Sequence, residues 1–506
     1  MSDTRASSAP EGAMREPREQ PARQPLARQP LAPLRADLKL AVHPPAQLDE
    51  LVQAALSVLE RTGIKVLSPK ALDLLSRHGA IVDRDRQTAR MAPELVSGAL
   101  STAPRSFLLA SRDASCDLDL SIRQTYCTSD GCGIEVVDFE TGRRRTSTKA
   151  DLAAITRIQD YLGSLAFWWP TVGATDCGET AQLHELDAGF SNTSKHLQGM
   201  VQGERLARHA VAMAAAVAGG PATLRRRPVM SDLVCTVSPL VVDRDGIEAA
   251  LVFAEAGVPV CFCSMPTLGT TAPADIAGAV VLGLAEVAAA AAIIQLARPG
   301  APVIGSVLRE WADPRTGHSV QLPLDARCMS LATELVHHLG LPCLAGYGGT
   351  DAESAATWQA GVETTYDLAM AVLDEAELAA GLGLTDAFRR FSLEKLLLDD
   401  DLYHRVRHAL LDVDFDELGK VLDVIDEVGA GGHFLAHRHT RDRMRQVMSP
   451  TIAHELGDAG RYRDPVDVAR ARGLRIVEDY EPEPLADDVQ DELRRVLASA
   501  DRAEGS

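Results

Sequence analysis

The sequence predicts an α/β protein, a TIM (β/α)8 barrel with helical additions at its N- and C-terminal ends, and three observations carry that expectation. Short apolar runs alternate with helical stretches between residues 165 and 382. Their starts lie roughly 28 to 44 residues apart, the length a βα unit occupies. The runs show almost no polar alternation, as befits strands covered on both faces. A doubly wound open sheet is the rival arrangement.

Taken in order, residues 1–39 hold six prolines and scattered charges without an apolar core, so they read as a disordered tail rather than a secretory signal. Over 47–62 the residues Leu48, Leu51, Val52, Ala55 and Leu59 form one helical stripe, stopped by Gly63. Helices over 69–78 and 93–103 open with proline in the first turn. Residues 106–110 read as a strand and 125–147 as a hairpin. Thr148 and Asp151 form a capping box for a helix reaching Leu162.

The apolar runs that follow lie at 165–170, 196–201, 230–237, 258–264, 302–307, 341–347 and 377–382. Helices are expected between them at 179–189, 204–218, 243–256, 272–297, 324–339 and 351–374. Seven βα units are clear. The eighth is open between the 125–137 region and the carboxy-terminal part. The resulting division is a disordered tail over 1–42, a helical and hairpin region over 43–147 packing on the barrel, and the barrel over 148–390. An acidic helical region over 391–480 and a tail over 481–506 complete the chain.

Composition narrows the partners. Fifty-one Lys and Arg against 71 Asp and Glu give a net charge of −20. That argues against nucleic acid and anionic membranes, both of which need a basic face. The one apolar stretch of membrane length, 276–297, is alanine-rich and broken by Glu286 and Gln295, which reads as a buried helix. Nine cysteines without a C-x-x-C spacing suit free thiols in a reducing cytoplasm. Cys261 and Cys263 would share one side of a strand, as core packing or as the start of a zinc site. The acidic run 399–427 is a solvated face or a docking surface.

In a barrel the carboxyl ends of the strands build the site. With only 10 Phe, 4 Trp and 7 Tyr in the chain, the consecutive Phe167, Trp168 and Trp169 stand out, and Tyr347 lies near another end. Aromatic faces hold quaternary ammonium groups, which offer no hydrogen bond and are met by cation–π contact; rings that merely close the barrel top are the alternative. The glycine turn Gly346-Tyr347-Gly348-Gly349-Thr350-Asp351 lets backbone approach a ligand. Neither a P-loop nor a dinucleotide fingerprint occurs, which leaves a Rossmann-bound methyl donor such as S-adenosylmethionine unsupported. His433, His437 and His439 lack an accompanying carboxylate pattern, so capping and packing are favoured over a metal site, and no metal is expected.

Several stretches are familiar together. Ser238-Pro239-Leu240 precedes Pro259-Val260, and Pro266-Thr267-Leu268-Gly269-Thr270-Thr271-Ala272-Pro273 leads into Ala277-Gly278, Ala285-Glu286 and Gln295. Gly348-Gly349-Thr350-Asp351-Ala352 is followed by Gln359-Ala360-Gly361-Val362-Glu363, then by Gly431-Gly432-His433-Phe434-Leu435 and His439-Thr440. In order and spacing the chain resembles the corrinoid-dependent trimethylamine methyltransferase family over about residues 45–475.

That resemblance implies a TIM barrel removing a methyl group from a methylated amine. The acceptor would be the Co(I) corrinoid (a cobalamin) of a small separate carrier protein. Founding members carry pyrrolysine; this chain has ordinary residues throughout and is similar to the non-pyrrolysine branch, which acts on quaternary amines such as glycine betaine. The expected cage is Phe167, Trp168, Trp169 and Tyr347. A substrate carboxylate would meet Lys195, His196 or the backbone N–H groups of Gly348 and Gly349. Asp351 or Glu353 would add cation attraction in the catalytic site, although Asp351 also suits an N-cap. A cytoplasmic homo-oligomer is expected. A non-catalytic amine-binding barrel, or a lyase or isomerase on the same scaffold, are the alternatives.

Overall fold

The computed structural model describes residues 25–504 except 37, 132, 309, 319, 323–324, 347–348, 411–414, 448–450 and 459. It is an α/β chain organised around eight short strands. These are β1 (Tyr126–Cys127), β2 (Phe167–Trp168), β3 (His196–Gly199), β4 (Met230–Cys235), β5 (Val260–Ser264), β6 (Val303–Val307), β7 (Leu344–Ala345) and β8 (Leu378–Ala379). A helix follows each in turn. They are α1 (Lys149–Tyr161), α2 (Ala181–Asn192), α3 (Glu204–Ala218), α4 (Arg244–Ala256), α5 (Ile276–Ala297), α6 (Asp325–His338), α7 (Trp358–Leu373) and α8 (Leu393–Ala409).

Strands β2 to β6 pair in parallel in chain order, and β7 pairs with β8, which pairs with β1. Single parallel bridges, Gly305 to Cys343 and Cys127 to Leu165, join the two groups. The pairings therefore return to the strand they began from. Tyr126–Cys127 fills the eighth strand position, and the insertion after it is the expected hairpin, Glu135–Val137 against Arg144–Thr146.

Alternation along the strands separates two apolar layers. Tyr126, Phe167, Leu233, Cys261, Cys263, Ile304, Leu344 and Leu378 face inward as one cluster. Val234, Val260, Phe262 and Val303 face outward into the core shared with the helices. Both sides of each central strand are dry, which is why the sequence shows continuous apolar runs there. All eight described cysteines are free thiols. A second hairpin, Leu108–Leu109 with Leu118–Asp119, sends Leu109, Leu118 and Leu120 into the inner cluster. Ala110 donates its N–H to the Pro228 carbonyl at 3.1 Å, just before β4. The hairpin thus stoppers the ring where its strands begin.

The capping box forms as expected: the Thr148 hydroxyl accepts from the Asp151 N–H, and the Asp151 carboxylate accepts from the Thr148 N–H at 2.9 Å. Helix α5 is long and apolar enough to cross a membrane, yet 72% of its most apolar window is buried inside the molecule. Its Glu286 is fully buried and accepts four hydrogen bonds, from the hydroxyls of Thr236, Ser238 and Ser264 at 2.6, 2.9 and 2.7 Å and from the Leu240 N–H at 2.7 Å. One carboxylate so ties the ends of β4 and β5 to the helix behind them.

Both expected tails need correction. Residues 25–36 lie along the body, because Leu34 is fully buried and the N–H groups of Ala32 and Leu34 bond Gly163 and Thr125 at 3.0 Å each. At the other end a helix spans Asp487–Glu504 and buries Leu493, Val496, Leu497 and Ala500 against α3. Between α8 and this helix lie Leu418–Val428 (α9), Arg438–Val447 (α10) and Pro465–Asp479 (α11), the last packed on α8 and α1. The acidic run is divided: Asp399 is buried against Lys395, while the residues of α9 are all outside the core.

Glu185 on α2 provides a pH prediction. Burial pushes its carboxyl up to about 7, partly offset by the N–H of Ala174 at 3.0 Å. A raised carboxyl binds its proton more tightly folded than unfolded, so stability falls as pH climbs from about 4.5 to 7 and stays reduced above that. Glu185→Gln should remove that decline, gaining on the order of 2 kcal/mol at pH 8 and little at pH 4.5 in denaturant unfolding. An unchanged pH slope would refute it.

Candidate functional site

A cavity of about 150 Å³ opens at the carboxyl ends of the strands, and every strand or the segment directly after it supplies lining. Asp130 and Gly131 come from beyond β1, Trp169 directly follows β2 and Met200 directly follows β3. Leu233 and Cys235 come from β4, and Cys263 and Met265 from β5 and its end. Leu308 follows β6, Leu344 and Gly346 come from β7 and its end, and Ala380 follows β8. Val320, Gln321, Asp325 and Phe388 complete the wall from loops and the start of α6.

Among the described residues two aromatic rings line the cavity, and each rests on a glycine. A Cβ on Gly131 would stand 2.3 Å from the Trp169 Nε1, so only glycine lets the indole lie there. That indole N–H is buried and meets no acceptor among the described residues. Phe388 belongs to a left-handed turn in which Asp386, Ala387 and Phe388 all have positive φ (56°, 51° and 67°). Such a run is costly for residues with side chains and persists where its surroundings hold it. Here the N–H groups of Asp386 and Ala387 bond the carbonyls of Ala352 and Thr350 at 2.9 and 3.1 Å. A Cβ on Gly349, itself at φ 81°, would strike the Phe388 ring.

Asp130 and Asp325 place two carboxylates in the wall, and no Lys, Arg or His lines it among the described residues. Thioethers of Met200 and Met265 and the thiols of Cys235 and Cys263 supply soft, polarisable surface. Cys235 and Cys263 are register partners across β4 and β5. The hydrogen bond between their thiols draws Cys235 below its ordinary value and pushes Cys263 well above. Two carboxyl groups, an indole, a phenyl ring and soft apolar walls thus meet in one cavity.

Of the residues expected from the sequence, Trp169 lines this cavity. Phe167 lies deeper in the inner cluster, and Trp168 points outward, its indole N–H donating to Thr156 Oγ1 at 2.8 Å. Strand alternation accounts for the split. Tyr347 and Gly348 lie outside the described residues, and Gly349 acts as the floor beneath Phe388.

Lys195 and His196 precede and open β3, at the end of the ring opposite the cavity. The Lys195 ammonium donates to the carbonyls of Gln159, Leu162 and Leu165 at 2.6, 2.7 and 2.6 Å, and burial lowers it to about 8. Burial brings His196 down to about 4, so the neutral ring bridges the Ala110 carbonyl and Ser231. Asp351 does not cap the next helix, which starts at Trp358 with Thr357 as its cap. It accepts the N–H of cavity-lining Gln321 instead. Glu353 is exposed, 3.6 Å from Arg144. His437 pairs with Glu427 at 2.9 Å, and no group of three or more His, Cys, Asp or Glu poised for a metal occurs among the described residues.

Residues 11–504 match the trimethylamine methyltransferase (MTTB) family. The chain belongs to that family. It is 30% identical over 450 residues to the trimethylamine methyltransferase MttB of Desulfitobacterium hafniense (strain DSM 10664 / DCB-2), covering 88% of this chain and 90% of the relative. It is 27% identical over 467 residues to the glycine betaine methyltransferase of Desulfitobacterium hafniense (strain Y51), covering 91% and 97%. Among solved structures, the Methanosarcina barkeri monomethylamine methyltransferase MtmB aligns over 93% of this chain and 89% of that one, at 10% identity and a TM-score of 0.49. Phe388, Met200, Asp130 and Asp325 were not singled out by the sequence. Asp130-Gly131 sits beside the Gly131-Cys132-Gly133 stretch, and the Ser264-Met265 strand end contains Met265.

Proposed function

We propose that the protein is a methyltransferase that moves a methyl group from a quaternary or tertiary methylated amine, such as a betaine, to the Co(I) corrinoid of a small carrier protein. The eight returning pairings support a (β/α)8 barrel with its site at the carboxyl face. The observation that carries the function is the cavity itself, where Trp169, Phe388, Asp130 and Asp325 converge in a chain of this family. Free, buried thiols suit a cytoplasmic location.

A groove along Trp358, Val362 and Tyr366 of α7 runs into the cavity, sharing Gln321 and Asp325 with it. A corrinoid docked at this groove would supply a strongly nucleophilic metal. The chain's own residues do the rest. Asp130 and Asp325 attract the ammonium, and the Trp169 and Phe388 rings fix its methyl groups. The Trp169 N–H is left to meet an acceptor on the substrate, and the thioether and leucine walls exclude water. A quaternary amine leaves neutral, so no proton has to be supplied to it; a tertiary amine would arrive protonated beside the two carboxylates.

The test is an optical assay in which purified protein, reduced free cobalamin and a panel of methylated amines are mixed and loss of the cob(I)alamin absorption is followed. Turnover with a quaternary amine is the expected result. No turnover across the panel, with free cobalamin and with a genomically adjacent corrinoid protein alike, would overturn the proposal.

A further inference from the structure

Two cysteines in the cavity wall carry a chemistry that amine binding does not use. Cys235 closes β4 and Cys263 lies on β5, where the two are direct register partners in a parallel pair. Both side chains face inward and line the cavity. Neighbouring strands run about 4.8 Å apart, inside the roughly 4.4 to 6.8 Å between Cα atoms that a disulfide spans. The backbone holds that spacing. Thr236 donates its N–H to the Cys263 carbonyl at 2.8 Å, and the hydroxyls of Thr236 and Ser264, the residues next to the two cysteines, both bond the Glu286 carboxylate.

The pair also differs from the other thiols. Burial raises Cys116, Cys127, Cys261 and Cys343, which keeps them protonated and inert. Cys261 shares its strand face with Cys263 but is fully buried and lies outside the cavity lining. Cys235 is half-buried at the cavity, and the Cys263 thiol beside it draws it below its ordinary value. An attacking thiol, a resolving neighbour and an entrance therefore occur together.

We propose that Cys235 and Cys263 are a redox-active dithiol, which low-molecular-weight disulfides oxidise to a disulfide across the cavity wall. The Cys235 thiolate attacks one sulfur of the small disulfide, which forms a mixed disulfide and releases one thiolate; this takes up the proton that Cys235 gave away. Cys263 then loses its proton and attacks the Cys235 sulfur, and the second small thiol leaves with that proton. The two cysteines lose two electrons and two protons, and the small disulfide gains them. The cross-link removes both sulfhydryls from the wall, so the state of the cavity follows the thiol poise around the protein. This rests on the strand register and the cavity, and stands apart from the methyl transfer proposed above.

Incubating the purified full chain with cystamine, a small dicationic disulfide suited to the acidic wall, and mapping its peptides without reduction tests this. A cross-link between Cys235 and Cys263, two fewer titratable thiols and reversal by dithiothreitol are expected. Cys263→Ser should leave Cys235 carrying cysteamine as a stable adduct. Cys235→Ser should slow loss of the Cys263 thiol by at least about tenfold. Cysteamine retained on wild-type Cys235 without a cross-link, a cross-link through Cys261, or a Cys235 left free would each overturn the proposal.

Discussion

Trp169→Ala is expected to weaken binding of the methylated amine by about 100-fold, while Trp358→Ala leaves it within about threefold. The indole of Trp169 forms a cavity wall and is 5% exposed, so truncation removes a cation–π face and a large apolar contact together. Trp358 is 84% exposed and lies in the outer groove. Calorimetric titration of the purified protein with the amine identified by the cobalamin assay measures both. Trp168→Ala is the informative control, because its ring packs outward and bonds Thr156: stability should drop with affinity largely retained. Equal affinities for the Trp169 and Trp358 variants would remove Trp169 from the site.

Glu286→Ala is expected to cost about 3 kcal/mol of stability, more than most single substitutions. Four donors converge on this one carboxylate in a fully buried position, and alanine leaves three hydroxyls and a backbone N–H without their acceptor. Glu286→Gln should be intermediate, since its amide keeps one acceptor oxygen but turns an NH2 toward groups that also donate. Guanidinium unfolding monitored by circular dichroism gives the number. A loss below about 1 kcal/mol for the alanine variant would show that the surrounding hydroxyls find other acceptors. Cys235 and Cys263 sit on the strand ends that Glu286 holds, so amine affinity should fall in parallel.

The strands were legible because both their faces are dry, which writes them as apolar runs. Tyr126–Cys127 is the instructive exception: polar residues flank it on both sides and a surface hairpin follows, which leaves too little pattern to distinguish from a loop. Of the aromatics at 167–169, read as the start of a cation cage, alternation sends neighbouring rings to opposite sides, and Trp169 is the one that lines the cavity. Lys195 and His196 were misplaced because an apolar run does not show which of its ends carries the site. Phe388 was invisible for a different reason. Its left-handed turn is built from Asp386, Ala387 and Phe388, without the glycine that normally signals such a conformation. The buried stripe of Asp487–Glu504 is spaced as an amphipathic helix, yet its many charges read as a tail.

The stopper formed by the Leu108–Asp119 hairpin has a kinetic consequence. With Leu109, Leu118 and Leu120 filling the far end of the ring, the described residues leave the cavity to be reached from the carboxyl face. For the proposed methyl transfer the expected order is therefore amine first, methyl acceptor second and demethylated amine last to depart, which product-inhibition kinetics would check. Excess acceptor should accordingly inhibit, by occupying the doorway of an empty chamber.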